Sequence, residues 1–375
     1  MARKRVRRSY QAREQSQTSV DNSLWSQPMY CSNENDNDCT HSETLTRVGW
    51  PFIHYFGLED LFYKYGVDVE IWAHEHSYER LWPIYDYKVL NGSYEKPYVN
   101  PKAPVHLVTG SAGCKEGREP FLDKIPEWSA YHSQDYGYTR MKAHNKTHLY
   151  FEQVSDDQNG DIIDSFWIIK DNHGSYSTSE IVVTWSTKDD TKSSVVEYGI
   201  ESFQLSEKGS STHFVDGGAG KHSQFVHRVV LKNLEPSTKY TYHCGSPQGW
   251  SSAFWFRTPP KDQENWSPRL AIFGDMGNEN AQSLSRLQQD TQSDMYDAII
   301  HVGDFAYDMN SENSEVGDEF MRQVESIAGY VPYMTCAGNH EEAYNFSNYR
   351  ARFSMPGGNE NLFFSFNLGP VHFIS

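Results

Sequence analysis

Long apolar runs are missing: none of the 375 residues falls in an uninterrupted apolar stretch of about eighteen, so the sequence offers no membrane-spanning helix. Basic charge is also short, with Lys and Arg numbering 33 against 50 Asp and Glu. The resulting net charge of −17 argues against nucleic acid or an anionic membrane as a general partner, and an anionic substrate must be drawn by local charge such as a metal. The five cysteines are too few, and odd in number, for a dense disulfide framework. Missing too is the apolar core of a secretory leader. The basic start Met1-Ala2-Arg3-Lys4-Arg5-Val6-Arg7-Arg8 runs straight into a Gln/Ser-rich stretch, so the expectation is a solvated, disordered arm over residues 1–27 and no signal peptide in this chain.

What is present is a globular composition with 37% hydrophobic and 14% aromatic residues, enough chain for two domains and a sizeable core. The most informative stretch is Ala298-Ile299-Ile300-His301-Val302-Gly303-Asp304-Phe305-Ala306-Tyr307. An apolar strand that breaks at glycine turns sharply and delivers the Asp304 carboxylate to the sheet's carboxyl edge, where ligands bind in α/β folds. One such turn is commonplace, but the pattern repeats. Arg269 to Phe273 ends in Gly274-Asp275-Met276-Gly277, and Pro332 to Ala337 ends in Gly338-Asn339-His340-Glu341. A fourth run, Val67 to Trp72, leads into Ala73-His74-Glu75-His76. If that segment is extended, its two histidines point the same way and can serve one metal pair.

This set, G-D-x-G, G-D-x-x-Y, G-N-H-E and H-x-H, resembles the calcineurin-like metallophosphoesterases and, through Tyr307, the purple acid phosphatases among them. The resemblance implies an α/β metallophosphoesterase sandwich of two mixed sheets flanked by helices. It implies phosphate monoester hydrolysis at a dinuclear Fe(III)–M(II) centre, with small-molecule phosphomonoesters as substrates. Asp275, Tyr307 and His76 would hold Fe(III), Asp304 would bridge, and Asn339 and His74 would hold a divalent Zn, Fe or Mn ion. His340 is implied in transition-state stabilisation, and His41 in binding substrate or protonating the leaving group; a solvated loop histidine is the plainer reading of His41. Asn91, Asn145, Asn265 and Asn345 head glycosylation sequons, and the resemblance implies secretion. Cys31 and Cys39 bracket an acidic loop and are placed to close locally, leaving Cys114, Cys244 and Cys336 without obvious partners.

Segment order departs from the family. Residues 28–170 resemble the carboxyl-terminal half of the catalytic domain, and 266–375 the amino-terminal half. Between them, 175–260 carries short strands and a Leu234-Glu235-Pro236 to Tyr242 stretch that resembles the tyrosine corner of a fibronectin III-like, all-β sandwich domain. A family histidine that ligates the divalent ion matches Ser26, a poor ligand. Three readings compete: a permuted enzyme, a fusion of two incomplete halves with impaired activity, and a non-catalytic glycoprotein. A phosphodiesterase or nucleotide pyrophosphatase would use the same metals. Helix is expected over Phe52 to Tyr65, edge strands over Gly137 to Glu152, a strand closing at Ile162 to Ile169, and mid-sheet strand at Val371 to Ile374. Glu79 and Arg80 are expected as an ion pair or cap, and His54, His106, His132, His144 and His148 as ordinary histidines.

Overall fold

The structure, a computed structural model, describes residues 27–34, 39, 44–50, 55–93, 95–170, 180–357 and 360–375. Ser26, His41 and His54 lie outside the described residues, as does the basic arm before Gln27.

Three short apolar runs, Arg269–Phe273, Ala298–Val302 and Tyr333–Cys336, lie side by side as parallel strands. Their carboxyl ends therefore share one edge. On the other side Arg269–Phe273 pairs antiparallel with Gly137–Asn145, Leu270 opposite Met141 and Ile272 opposite Thr139. His148–Ser155 and Asp161–Ile169 complete a six-stranded sheet. Two stretches of chain, 137–169 and 269–336, separated by residues 170–268, thus build one sheet. Gly137–Asn145 is an interior strand and not the expected edge: Tyr138 and Thr139 are both fully buried, because a layer covers each face. His148–Ser155 is interior too, and the edges of this sheet are Asp161–Ile169 and Tyr333–Cys336.

One face packs Phe273 and Ile299 against Leu287 of helix Leu284–Gln292 and Phe320, Val324 and Ile327 of helix Ser311–Ala328. The other face puts Leu270, Ile272 and Phe151 against Val105, Leu107 and Ala73 of a second mixed sheet, ordered Val69–Trp72, Val105–Thr109, Tyr78–Leu81, Ser129–Ser133. Each such fully buried side chain contributes on the order of 1.5–3 kcal/mol of transfer free energy, which fixes the two layers face to face.

Several expectations change. Among the described residues of that stretch helix occupies Glu59–Tyr65, and Tyr55–Phe56 is strand: the chain runs so close to Val48 that a Cβ on Gly57 would stand 2.4 Å from its carbonyl carbon. Glu79 and Arg80 do not pair. Neighbours on a strand point to opposite faces, so Arg80 Nε and Nη2 donate to Asp164 at 2.7 and 2.9 Å, whereas Glu79 accepts from Ser32 N at 2.8 Å. Val371–Ile374 pairs, among the described residues, with Ser365–Leu368 in a two-stranded sheet of its own. Cys31 and Cys39 form a disulfide, and Cys114, Cys244 and Cys336 are free.

Between the two stretches that build the six-stranded sheet stands a two-sheet antiparallel sandwich. Ile181–Thr187, Ser223–Leu231 and Ser210–Val215 form one sheet; Leu205–Lys208, Val195–Gly199, Lys239–Ser246 and Phe254–Arg257 belong to the other. Val183, Val196, Tyr198, Val229, Leu231, Tyr240 and Phe256 fill it. Tyr240 Oη accepts from the Glu235 amide at 3.0 Å, tying down the corner before its strand. The sandwich is anchored by Tyr242, which donates to the Gly329 carbonyl at 2.7 Å, and by Arg228, which donates to Ser354 Oγ at 2.7 Å and the Ala351 carbonyl at 2.5 Å.

Candidate metal centre

All four motif turns meet at the carboxyl edge of the parallel strands. The backbone there is strained: His74, Asp275, Asp304, Tyr307 and Asp308 all have φ between 53° and 77°, a region non-glycine residues rarely enter. Glycine lets the turns close. A Cβ on Gly110 would stand 2.6 Å from Asp275 Oδ2, and one on Gly338 would stand 2.2 Å from Asp304 Oδ1.

The side chains fall into two groups. In the first, Tyr307 Oη lies 2.6 Å from His76 Nε2 and 3.3 Å from Asp275 Oδ1, and His76 Nε2 is 3.6 Å from that same oxygen. In the second, His74 Nδ1 is 3.1 Å from Asn339 Oδ1 and 3.9 Å from Asp304 Oδ2. Asp275 Oδ2 accepts the His74 amide at 3.0 Å and so links the groups. The H-x-H segment is therefore a turn, left-handed at His74, and not the extended segment expected. Its histidines still converge, while Glu75 points away, 3.2 Å from Cys39 Sγ of the disulfide.

Charge in this pocket is poised for a cation. Burial, helped by the charge of Asp304, holds the Asp275 carboxyl well above the usual range. Asp304 is also buried, yet His74 and His340 keep it below its usual value. Two carboxylates side by side in a low dielectric can both be ionised only when positive charge stands beside them. Burial lowers His76, leaving the neutral ring that ligates metal. Oxygen, phenol and imidazole donors make the Asp275, Tyr307, His76 group fit a hard or borderline ion such as iron. The His74, Asn339 group fits a divalent ion but is one protein ligand shorter among the described residues.

Two roles were not read from the sequence. His340 Nδ1 is 3.0 Å from Asp308 Oδ1; burial works against the charged ring, but Asp308 and Asp304 outweigh it and raise its pKa above the usual value. Glu341 accepts the amides of Gly338, Asp304 and Phe305 at 2.8, 2.9 and 3.0 Å, so the last residue of G-N-H-E locks two motif turns together. The signal for Glu341 was in the motif itself; for Asp308 it was only the adjacency to Tyr307. Cys114 also packs here, its thiol pushed up to about 11 by burial.

Residues 268–371 match the family described as "Calcineurin-like phosphoesterase", 103–165 "Iron/zinc purple acid phosphatase-like protein C", and 172–258 "Purple acid Phosphatase, N-terminal domain". The match described as C precedes the one described as N-terminal, in the rotated order that the motifs indicate. "Acid phosphatase type 7" of Danio rerio is 54% identical over 200 residues, covering 52% of this chain and 45% of its own length. The Homo sapiens protein of that name is 52% identical over 198 residues, covering 52% and 45%. "Purple acid phosphatase 21" of Arabidopsis thaliana is 32% identical over 205 residues, covering 51% and 44%. The chain thus spans about half the length of the curated relatives it matches.

Proposed function

Since this chain belongs to the purple acid phosphatase family, we propose that it hydrolyses phosphate monoesters at a dinuclear Fe(III)–M(II) centre, its two catalytic stretches working as one permuted unit. The observation that carries this reading is the convergence of Tyr307, His76 and Asp275 within 3.6 Å from parts of the chain some two hundred residues apart.

In this reading Asp275, Tyr307 and His76 hold the ferric ion, Asp304 serves both ions, and His74 and Asn339 hold Zn, Fe or Mn. Bound ions of this kind lower the pKa of water and polarise phosphoryl oxygens. His340, whose pKa Asp308 and Asp304 raise above the usual value, would donate to a phosphoryl or leaving oxygen as charge develops there. Glu341 holds the Asp304 turn in its strained conformation. The sandwich is fibronectin III-like and supports the catalytic unit from behind, an assignment that rests on its tyrosine corner. Secretion is supported by the Cys31–Cys39 disulfide and by the exposed sequon residues Asn145, Asn265 and Asn345.

Metal analysis with steady-state assays on a phosphomonoester and a phosphodiester tests the proposal. We expect one tightly held iron, a second ion that is easily lost, and monoester turnover. Changing Ser26→His should raise second-ion occupancy and rate together. Retention of no metal would overturn the reading, and faster diester turnover would move it to phosphodiesters.

A further inference from the structure

Loop 216–222 joins strand Ser210–Val215 of the sandwich to strand Ser223–Leu231, and it has no part in the reading above. Two segments of the catalytic unit meet it, one following Asp308 and the other following His340, whose side chains stand 3.0 Å apart. Each segment soon turns left-handed: Glu312, Asn313 and Ser314 have φ between 49° and 66°, and Tyr344, Asn345 and Phe346 between 54° and 58°. The loop lies so close to both turns that a Cβ on Gly217 would collide with the Tyr344 ring, and one on Gly220 with the Asn313 side chain. Beneath it, Asn348 Nδ2 donates to Asp216 Oδ1 at 3.0 Å and to Ser314 Oγ at 3.4 Å, so one amide ties the loop to both segments. Arg352 Nε donates to Asn348 Oδ1 at 2.9 Å, and its Nη2 to the Ser314 carbonyl at 3.2 Å. Asp216, Ser314, Asn348 and Arg352 are all buried.

We propose that Asp216 is a positioning residue for phosphomonoester hydrolysis: from the sandwich it fixes the spacing of these two segments and thereby holds His340 on Asp308. Backbone hydrogen bonds carry the constraint outward. On one side Ser314 N donates to the Asn310 carbonyl at 3.1 Å and Ser311 N to the Asp308 carbonyl at 2.9 Å. On the other, Phe346 N donates to the Glu342 carbonyl at 3.1 Å and Glu342 N to the Asn339 carbonyl at 3.2 Å. A buried polar network whose donors all meet acceptors specifies one arrangement, so removing its sandwich member frees the two segments to shift independently. A displacement of about 1 Å is enough to cost ~100-fold in a step that depends on orientation. The alternative is a carboxylate that only joins the two domains, as Tyr242 does through the Gly329 carbonyl.

This inference rests on the phosphatase reading, with His340 as donor to the leaving oxygen, and the test separates the two. Full-length wild type, Asp216→Ala, Asp216→Asn and Tyr242→Phe are loaded with iron and zinc, and kcat and KM are measured on an alkyl phosphate and on p-nitrophenyl phosphate. An alkoxide needs a proton to leave and a nitrophenolate does not. Asp216→Ala should lower kcat on the alkyl phosphate ~10- to 100-fold, cost far less on the nitrophenyl ester, and leave KM and bound iron near wild type. Asp216→Asn, which keeps an oxygen for Asn348, should recover most of the alkyl rate. Tyr242→Phe should keep the wild-type ratio of the two rates. Equal losses on both substrates in Asp216→Ala would overturn the proposal, as would no recovery in Asp216→Asn. So would a ratio that moves in Tyr242→Phe as it does in Asp216→Ala, because it would then report loosening of the domains alone. If Asp216→Ala does not fold, Asn348→Ala breaks the same hydrogen bond from its other end and is read in the same way. If loaded wild type turns over neither ester, the phosphatase reading fails by itself and hydrogen exchange on the same proteins decides. There, faster exchange over residues 308–314 and 340–346 in Asp216→Ala but not in Tyr242→Phe supports the brace, and unchanged exchange overturns it.

Discussion

The two halves of the candidate metal centre are built to different standards. Around Tyr307 the side chains of His76 and Asp275 are 7% and 0% exposed, and every ligand atom has a second group pressing on it. Around Asn339 the side chains of His74 and His340 are 22% and 19% exposed, and Asp308 stands 43% exposed at the mouth. Burial suits an ion that stays; exposure suits one that exchanges and a substrate that must enter. In the proposed centre the difference assigns tight holding and access to different halves, with Asp304 in the bridging role.

Breaking that shared residue should have the largest effect. Asp304→Asn removes a charge from both halves, so we expect loss of most bound metal and a fall in turnover well beyond the roughly 10–100-fold that follows loss of a group behind a ligand. Metal content and rate on the same samples check this; loss of only one ion would mean the halves are independent.

A smaller change sharpens the open half. Asp308 raises His340, so Asp308→Asn should lower the pKa of the ring and move the alkaline limb of the pH–rate profile to lower pH. Bound iron should stay unchanged. A profile that keeps its alkaline limb would remove His340 from the proton-donating role, whereas His340→Asn should cost on the order of 10²-fold in rate.

The smallest effect on rate is expected from a group serving neither half. Burial raises Glu79 from the usual 4.5 to about 7, partly opposed by Ser32 and Ser129. A carboxyl raised on folding contributes stability that is present below its unfolded pKa and is lost as pH rises through about 7. Glu79→Gln should therefore be more stable than wild type at pH 8, by up to roughly 3 kcal/mol, and no more stable at pH 4. Urea midpoints at the two pH values measure it, and activity should follow wild type at low pH.

Much of this was legible in the sequence. Asp275, Asp304 and Asn339 could be read because an apolar strand ending in glycine fixes where the next side chain goes. The Glu79 and Arg80 split was legible too, since strand neighbours alternate faces, but adjacency of opposite charges suggested a pair instead. Asp308, Asp216 and Glu119 were not legible, because their partners His340, Asn348 and His76 are neighbours only across the fold. Strands Leu205–Lys208 and Ser210–Val215 were hidden for another reason. They lie at sheet edges and are almost entirely exposed, so no apolar alternation marks them. The interior place of Gly137–Asn145 depended on its partner Arg269–Phe273, which no local pattern announces.

That pairing also orders the folding of the molecule in time. Ala143 N donates to the Pro268 carbonyl at 3.2 Å, so the ladder closes a loop that contains the whole sandwich. For a flexible chain such a closure costs entropy that grows with the logarithm of loop length, and non-local ladders form slowly. A sandwich already folded brings its two ends in as a compact body and shortens the search. The sandwich should then become protected first and the six-stranded sheet afterwards. Pulse-labelled hydrogen exchange should find the amides of Val183, Val196 and Val229 protected before those of Met141 and Ile272; the reverse order would make the sheet the nucleus. The metal centre would be the last part of the protein to exist.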